Sequence, residues 1–422
     1  MTPTAVNESR CWGWLMQLAE RTEPERPWTR RAFTPLHAEG RKWLAARMHE
    51  LGLASTIDAA GNLIGRRAGA ADSRSIMIGS HSDTVAGGGR FDGIAGVIAG
   101  LEVAAALRDA GITLRHDLEI VDFLAEEPND FGLSCIGSRG MAGALDASML
   151  ERTNPQGVPL RAGLASVGAH PPHITPPRGN IAAFFELHIE QGPVLEDEGR
   201  AIGIVTHIVG IRRLALTFHG QAAHAGTTPL PLRQDALLAA ARFITALREM
   251  LQAKREPTPF VIATVGELRI APNAANVIPG QAQLTVDLRS DSLAALAAWS
   301  ERVHALALDA ADAARVKLSE FRVLSSSEPA ACAPPLSECL RSAASALGLT
   351  QRDIVSGAGH DAAFIARVAP AAMLFVPSRA GLSHSAEEWT EPRELAQGVA
   401  TLLHAVRLFD GEHPPTRAGG KS

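Results

Sequence analysis

Short apolar runs alternate with helical patterns along much of the chain, and this alternation is the feature that most constrains its fold. The helical patterns include residues 94–108 and a stretch near 140–150. The apolar runs have the length of buried strands and occupy residues 75–79, 118–124, 182–187 and 371–376. Because strands that are linked by helices pair in parallel, we predict an α/β fold with a mixed, mostly parallel sheet.

A different order of elements fills the middle of the chain. Two Ala-rich helical patterns, residues 232–251 and 293–314, lie among strand patterns at residues 213–218, 261–268, 283–289 and 318–324. The order βαββαβ is typical of a small domain with helices on one face of an antiparallel sheet. We therefore predict that residues 209–328 are an α+β insertion, and that residues 1–208 and 329–422 together form the α/β domain.

Two further segments lack a regular pattern. Residues 154–180 are rich in proline and glycine, so we expect a long loop there. Residues 411–422 are expected to form a mobile tail.

Composition excludes several classes of protein. The chain has 422 residues, of which 46% are hydrophobic and 20% charged, so it is long and apolar enough for a large folded core. A net charge of −5 argues against nucleic acid as a partner. No apolar run is long enough to span a membrane, the polar N-terminus predicts no signal peptide, and the four cysteines form no CxxC pair. We expect a cytoplasmic protein.

Residues able to carry chemistry follow the predicted strands of the α/β domain. They lie in the motifs Gly79-Ser-His-Ser-Asp-Thr84, Gly88-Gly-Arg-Phe-Asp-Gly93, Glu126-Glu127, Glu186-Leu-His-Ile-Glu-Gln-Gly192 and Leu382-Ser-His-Ser385. In an open α/β sheet, ligands bind beyond the carboxyl ends of the strands, where these loops meet. We therefore expect five side chains to converge there: His81, Asp92, Glu127, His188 and His384.

Three imidazoles and two carboxylates form a ligand set that suits zinc, manganese or cobalt better than calcium or magnesium. Five side chains are more than one ion needs, whereas they serve two ions well if one carboxylate bridges them. Asp92, in a tight turn flanked by glycine, is the predicted bridge. Since two close metal ions can activate water and polarise a carbonyl, the set predicts a hydrolase site.

Each of these residues has an ordinary explanation when taken alone. A histidine at a strand end is often a hydrogen-bonded residue without a ligand, Asp92 could serve its turn, and Glu126-Glu127 could begin a helix. His188 could be a satisfied buried histidine, and His384 an exposed loop residue. Their common position at strand exits favours the metal site. Asp83 is expected to accept the second imidazole proton of His81 and so fix its tautomer.

The motifs resemble those of the dinuclear-metal amidohydrolases, a family that includes N-carbamoyl-L-amino acid hydrolase, β-ureidopropionase and allantoate amidohydrolase. This family belongs to the aminoacylase and metallo-carboxypeptidase superfamily. The resemblance extends from about residue 28 to residue 405. It implies that the inserted domain is a lid through which the protein forms a homodimer.

The resemblance also implies a role for each motif residue. It places His81, Asp92 and His188 on one metal ion, and Asp92, Glu127 and His384 on the other. Zinc is the first expectation, with manganese, cobalt and nickel as alternatives. Glu126 matches the general base that activates the attacking water. His188 stands where similar peptidases usually carry a carboxylate, which favours a ureido substrate over a peptide.

Substrate-binding residues are implied on both domains. His224 resembles the histidine that stabilises the oxyanion in the site of the partner subunit. Asn276 and Arg289 resemble residues that bind a substrate carboxylate, although Arg289 could instead pair with a neighbouring aspartate, Asp287 or Asp291. Two further residues are expected to line the substrate pocket: Gln191 and His360.

One departure concerns the residues after the glutamate pair. The family commonly has Arg-Phe there, whereas this chain has Asp130 before Phe131.

We expect hydrolysis of an N-carbamoyl or ureido group on a small carboxylate, such as an N-carbamoyl-L-amino acid, with release of ammonia and carbon dioxide. The alternatives are an N-acyl or N-formyl amino acid deacylase or dipeptidase on the same site, and a catalytically inactive binding protein.

Overall fold

The structure is a computed structural model that describes residues 5–71, 74–169 and 177–412. The chain separates into two compact units. The first is drawn from Met1–Thr206, Cys332–Ile354 and His360–Ser422, and the second from His207–Ala331 and Val355–Gly359. The second unit thus contains the whole of the predicted insertion, residues 209–328, and a short later segment that no sequence pattern marked.

The described residues form fifteen strands and twelve α-helices. The strands are Ala54–Ile57 (β1), Leu63–Arg67 (β2), Ser75–His81 (β3), Asp117–Phe123 (β4), Ile181–Ile189 (β5), Ile202–Ile208 (β6), Gly210–His219 (β7), Ala223–His224 (β8), Val261–Ala271 (β9), Val277–Ile278 (β10), Gln281–Ser290 (β11), Lys317–Ser326 (β12), Ala330–Ala331 (β13), Gln351–Ser356 (β14) and Ala371–Val376 (β15). The helices are Glu8–Ala19 (α1), Pro35–Glu50 (α2), Ile94–Asp109 (α3), Ile136–Met141 (α4), Ala147–Leu150 (α5), Leu160–Ser166 (α6), Val194–Asp197 (α7), Ala236–Gln252 (α8), Leu293–Ala314 (α9), Pro334–Ala346 (α10), Ala362–Ile365 (α11) and Pro392–Glu412 (α12).

The first unit is built on a sheet in the order β1-β2-β4-β3-β5-β15-β6. Its centre, β4-β3-β5-β15, is parallel throughout, and β2 and β6 pair with this centre in the antiparallel sense. The predicted mixed, mostly parallel α/β sheet is therefore confirmed. β3, β4, β5 and β15 are buried along their whole length, which is why they appear in the sequence as continuous apolar runs.

The apolar helix α3 packs in the main core of the first unit, and its residues 94–107 are all buried. One of them, Glu102, is an acid in this core. Its carboxylate accepts hydrogen bonds from the main-chain N–H of Asn7 and from the Arg10 guanidinium, which fasten α1 to α3. A buried charge of this kind is tolerated because it is fully paired.

The second unit has a four-stranded antiparallel sheet in the order β12-β7-β11-β9. The helices α8 and α9 pack against this sheet and share a core with the alternating apolar residues of β7 and β11. The predicted βαββαβ order is confirmed in β7, α8, β9, β11, α9 and β12. The two-residue strands β8 and β10 form a separate ribbon that is too short to leave a periodic pattern in the sequence.

Three segments outside the main strands and helices differ in part from the predictions or are only partly described. The helix predicted near residues 140–150 was wrong as one element: α4 ends at Met141, and α5 begins after its own N-cap, Asp146, whose carboxylate accepts the N–H of Met149. The segment 154–180 contains α6 rather than loop alone, and its residues 170–176 lie outside the described residues. The tail prediction concerns residues 411–422, of which α12 includes 411 and 412 and the rest lie outside the described residues.

Within the described part of the chain, no helix has the length and apolar character that crossing a bilayer requires.

Candidate metal centre

The five predicted metal ligands all belong to the first unit, at the carboxyl ends of its central strands. His81 is the last residue of β3, His188 lies near the end of β5, and Glu127 follows β4. His384 follows β15, and Asp92 lies in the turn that leads into α3. Since β4, β3, β5 and β15 are adjacent and parallel, residues distant in sequence meet at one edge of the sheet.

Asp92 lies at the centre of this set, with one carboxylate oxygen facing two histidines and the other facing the third. Its Oδ1 lies 3.1 Å from Nε2 of His188 and 3.8 Å from Nε2 of His81. Its Oδ2 lies 2.9 Å from Nε2 of His384, and that nitrogen also lies 3.3 Å from Oε1 of Glu127. Two groups of three potential ligands therefore share Asp92, and within each group the ligand atoms lie within 4.8 Å of one another.

The two groups differ in exposure. His81, Asp92 and His188 are buried, whereas the His384 side chain of the other group is 50% exposed. Hydrogen bonds to Asp92 and Glu127 raise the pKa of His384 to about 10. Burial lowers the pKa of His81, but nearby carboxylates, first among them Glu126, outweigh burial and raise the pKa well above its usual value. Both shifts report an excess of negative charge, which a divalent cation would neutralise.

Main-chain carbonyl groups orient the two buried imidazoles. His81 Nδ1 lies 3.0 Å from the carbonyl oxygen of Asp83, and His188 Nδ1 lies 2.9 Å from that of Ile189. An Nδ1–H that donates to a carbonyl leaves Nε2 as the acceptor nitrogen, the arrangement that metal-binding histidines use. In His188 this Nε2 accepts the main-chain N–H of Gly93 at 3.2 Å. Gly93 must be glycine here, because its φ is 68° and a Cβ would lie 2.3 Å from the His81 ring.

Asp83 accepts the second imidazole proton of His81 as expected, but through its main-chain carbonyl oxygen and not through its carboxylate. Its Oδ1 lies 3.8 Å from the ring, farther than the Asp83 carbonyl oxygen. The carboxylate instead accepts the main-chain N–H groups of Glu126 and Glu127, at 3.2 and 3.3 Å. Asp83 therefore connects the His81 loop to the loop that carries both glutamates.

Glu126 and Glu127 face different surroundings although they are adjacent in sequence. Glu127 belongs to a ligand group, and Glu126 belongs to none of the groups found among the described residues. Oε2 of Glu126 lies 3.8 Å from Nε2 of His81, and its Oε1 accepts the thiol hydrogen of Cys135 at 3.2 Å. Burial raises the pKa of Glu126 well above its usual value, against the opposing effect of His81. A carboxylate with a raised pKa beside metal ligands suits a general base.

The two residues predicted to line the pocket contact the ligands directly. Gln191 donates from Nε2 to Oδ2 of Asp92 and to Oγ of Ser383, both at 3.0 Å. The His360 ring is buried, with its centroid 4.5 Å from that of His188. Burial holds the pKa of His360 well below its usual value, so this imidazole is neutral at pH 7.

The structure adds site residues that sequence reasoning passed over. Cys135 contacts Glu126, Glu186 accepts hydrogen bonds from the Ser80 hydroxyl and the Ala362 N–H, and Glu388 accepts the N–H groups of Phe91 and Asp92. Glu388 is fully buried, whereas its neighbour Glu387 is exposed. Nothing in the string Ala-Glu-Glu-Trp separates the two residues.

The predicted residues of the second unit fall in two places. His224 is exposed on β8, and its Nδ1 accepts the N–H groups of Gly226 and Thr227 at 3.0 and 3.2 Å. Asn276 lies beside it on the ribbon, because its carbonyl oxygen accepts the N–H of Ala225.

Arg289 lies on β11, in a different sheet from this ribbon. Its guanidinium donates to Oδ1 of Asp287 at 2.6 Å and to the carbonyl of Gly357 at 2.7 Å. The pairing with Asp287 that the sequence left open is thus present. In the first unit, Asp130 pairs with Arg31 at 2.5 Å on an exposed surface.

Comparison with known proteins places this geometry among enzymes. The sequence profile described as "Peptidase family M20/M25/M40" matches residues 77–408. The chain is 41% identical over 389 residues to N-carbamoyl-L-amino-acid amidohydrolase of Paenarthrobacter aurescens, covering 90% of this chain and 93% of the relative. It is 36% identical over 383 residues to allantoate amidohydrolase of Bacillus subtilis, covering 89% and 90%.

A solved structure gives the same result. The crystal structure of an amidase of the hydantoinase/carbamoylase family from Burkholderia multivorans matches with a TM-score of 0.88 at 37% identity, covering 96% of this chain and 98% of that chain. The resemblance drawn from the sequence motifs is therefore confirmed.

Proposed function

Since the chain belongs to peptidase family M20/M25/M40, we propose that it is a two-metal amidohydrolase acting on an N-carbamoyl or ureido group of a small carboxylate. The chain is a hydrolase of amide-type C–N bonds, as its family and its amidohydrolase relatives indicate. One water would be consumed, and ammonia, carbon dioxide and an amine or amino acid would be released. The N-carbamoyl amino acid and allantoate specificities of the relatives support this substrate class.

The observation that carries the proposal is the shared carboxylate of Asp92 between two groups of three ligands. His81 and His188 would hold one ion with Asp92, and Glu127 and His384 the other. The excess negative charge that raises the pKa values of His81 and His384 supports this fit to divalent cations. The ions, zinc being our first expectation, would supply Lewis acidity toward the substrate carbonyl and lower the pKa of the attacking water.

Glu126 is the proposed general base. It lies beside the ligands without joining either group, and Cys135 occupies its Oε1, so Oε2 is the oxygen that faces the ligand His81. Glu126 would take a proton from the attacking water and return it to the leaving nitrogen. Hydroxide would add to the ureido carbonyl, and the resulting tetrahedral species would lose the amine nitrogen. The carbamic acid that remains would decompose to ammonia and carbon dioxide.

His224 is the proposed donor to the oxyanion of that tetrahedral species. Its Nδ1 accepts two main-chain N–H groups, so in the neutral ring the proton is on Nε2. The ribbon therefore presents a hydrogen-bond donor at the exposed edge of this side chain.

The second unit would act as a lid and as the dimer interface, bringing His224 to the site of the partner subunit. Asn276 and Arg289 would bind the substrate carboxylate, which for Arg289 requires exchanging or sharing its contact with Asp287. The four cysteines, all among the described residues, are buried and form no disulfide, which fits the reducing cytoplasm in which we expect the protein to work.

The reaction class is tested with matched derivatives of one amino acid. The purified protein, loaded in turn with zinc, manganese, cobalt and nickel, is given the N-carbamoyl, N-formyl and N-acetyl derivatives of the same L-amino acid. Release of the free amino acid measures all three reactions, and release of ammonia reports the carbamoyl reaction alone. We expect the carbamoyl derivative to have the highest kcat/KM. Faster cleavage of the acetyl or formyl derivative would establish the deacylase alternative, and no bound metal together with no turnover would support the binding protein.

A further inference from the structure

We propose that Glu388 is a positioning residue that holds Asp92 in place as the shared metal ligand. The inference rests on the proposed two-metal site and adds to it a residue outside both ligand groups. Glu388 lies in the segment of residues 383–389, which also contains the ligand His384. It belongs to none of the potential ligand groups among the described residues, so it would act through Asp92.

Glu388 reaches Asp92 from the main-chain side. Its Oε1 accepts the N–H groups of Phe91 at 2.8 Å and Asp92 at 3.1 Å. These two hydrogen bonds fix the backbone of the turn from which the Asp92 side chain projects.

The same carboxylate also reaches the side chain of Asp92, through two intermediates. Oε2 of Glu388 accepts the hydroxyl hydrogen of Ser383 at 2.8 Å, and Oγ of Ser383 accepts Nε2–H of Gln191 at 3.0 Å. The amide nitrogen of Gln191 also donates to Oδ2 of Asp92 at 3.0 Å. The hydrogen bonds form a closed ring that begins at the Asp92 main chain and returns to the Asp92 carboxylate. Backbone and side chain of the shared ligand are therefore fixed relative to each other.

The turn is shaped around the Glu388 carboxylate. A Cβ at Gly89 would lie 1.7 Å from Oε1 of Glu388, so a side chain at this position would displace the carboxylate. The next residue of the 383–389 segment, Trp389, packs on the other side chains of the turn. The Arg90 guanidinium lies 4.7 Å from the Trp389 ring, and the Phe91 ring meets Trp389 edge to face at 5.6 Å.

A fully buried carboxylate beside another carboxylate is costly, which argues that this position is not filled by chance. Three hydrogen-bond donors compensate Glu388, and all three lie on the path between the Asp92 turn and the His384 loop. The ring therefore connects Asp92 to the loop of the second ligand, His384, whose Nε2 faces Oδ2 of Asp92. Hydrogen-bonded partners of metal ligands typically change metal affinity by about 10-fold to 100-fold when they are removed.

The test measures metal binding directly, without substrate. Zinc stoichiometry and affinity are determined by chelator competition on the wild type, on Glu388→Ala and Glu388→Gln, and on the control Glu387→Gln at the exposed neighbour. We expect Glu388→Ala to weaken the binding of at least one zinc ion by about tenfold or more. Glu388→Gln keeps an acceptor for the two N–H groups and should fall between Glu388→Ala and the wild type. The control should match the wild type.

A second variant tests the ring even if Glu388→Ala fails to fold. Ser383→Ala opens the ring at another bond without removing a buried charge, and circular dichroism of each protein checks the fold. Weakened zinc binding in folded Ser383→Ala supports the ring. Wild-type affinity in both folded Glu388→Ala and folded Ser383→Ala would overturn it. A wild type that binds zinc but cleaves no ureido compound would refute the proposed function alone, and a wild type that binds no metal would refute both.

Discussion

The thiol of Cys135 donates its hydrogen to Oε1 of Glu126 over 3.2 Å, so one oxygen of this carboxylate is already occupied. The other oxygen, Oε2, faces the ligand His81. A carboxylate held at one end has a defined orientation, which a proton carrier needs because it must reach both water and leaving group.

Replacing Glu126 should separate catalysis from metal binding. Glu126→Gln preserves the shape of the side chain but cannot take a proton, so we expect kcat to fall by about 100-fold or more. Metal content by mass spectrometry should equal that of the wild type. The exposed Asp130→Asn variant is a matched loss of one carboxylate and should keep its activity. Glu126→Gln with kcat within tenfold of the wild type would remove Glu126 from the mechanism.

Replacing His384 should remove one of the two ions. His384 is half exposed, and Asp92 and Glu127 are the other two members of its ligand group. We therefore expect His384→Asn to lose the ion of this group and to retain the other ion tightly bound. Quantification of bound metal after gel filtration measures this directly. His49→Asn, at an exposed position on α2, is the control. Full occupancy by two ions in His384→Asn would contradict the assignment of this ligand.

His224 should affect turnover rather than folding. Removing one preorganised donor to an oxyanion typically lowers kcat by about 100-fold to 1000-fold, and we expect His224→Phe to fall in this range. His219→Phe is the matched control, since His219 is also exposed and lies in the same unit. Steady-state kinetics with an N-carbamoyl amino acid would decide, and equal kcat values in the two variants would exclude the oxyanion role.

Asp410 should make the free energy of unfolding depend on pH under acidic conditions. Burial raises its pKa, but hydrogen bonds from His116 and from the N–H groups of Arg115 and His116 outweigh burial and hold the pKa below its usual 3.8. A folded-state pKa below the unfolded one gives stability that is present above about pH 4 and lost as the pH falls through the folded-state value.

Asp410→Asn should therefore lower the stability by about 1 kcal/mol at pH 7, a value reduced for partial exposure to solvent. Urea unfolding at pH 7, 5 and 3 would follow the difference between variant and wild type. The difference should be equal at pH 7 and 5 and smaller at pH 3. Asp309→Asn, an exposed carboxylate on α9, should show no such pattern. A difference that persists at pH 3 would show that packing, rather than charge, accounts for the effect.

The cysteines should be unreactive in the folded protein. All four lie outside disulfides and are buried, and burial raises the pKa of Cys332 to about 12 and those of Cys11 and Cys135 above their usual value. Since the thiolate is the reactive form, a thiol reagent such as DTNB should label none of them within minutes at pH 8. Four thiols should react once the protein is denatured. Rapid labelling of one thiol in the folded protein would show that its surroundings open.

Much of the α/β sheet was predictable because its central strands are buried on both faces. Residues 371–376, for example, form an apolar run without alternation, and β15 has those bounds. Parallel neighbours also made the meeting of His81, Glu127 and His188 predictable, since the carboxyl ends of such strands share an edge. The structure does place these side chains together, while their roles stay predictions.

Other features depend on contacts that a single sequence does not reveal. Asp83 contacts the His81 ring through its main-chain carbonyl oxygen, while its carboxylate accepts the two N–H groups of the glutamate loop. Glu388 resembles its exposed neighbour Glu387 in sequence and is distinguished only by the turn that packs over it. The ribbon of β8 and β10 has two residues in each strand, too few for any periodicity to appear.

The position of β15 sets the order in which the first unit can be completed during translation. This strand comes from near the end of the chain, yet it lies between β5 and β6. The nascent chain must therefore keep the edge of β5 unpaired until residues 371–376 have left the ribosome. His384 emerges later still, so we expect the centre to acquire its full metal complement only after residue 384 has left the ribosome. Until then, exposed strand edges would make the unfinished chain a substrate for chaperones.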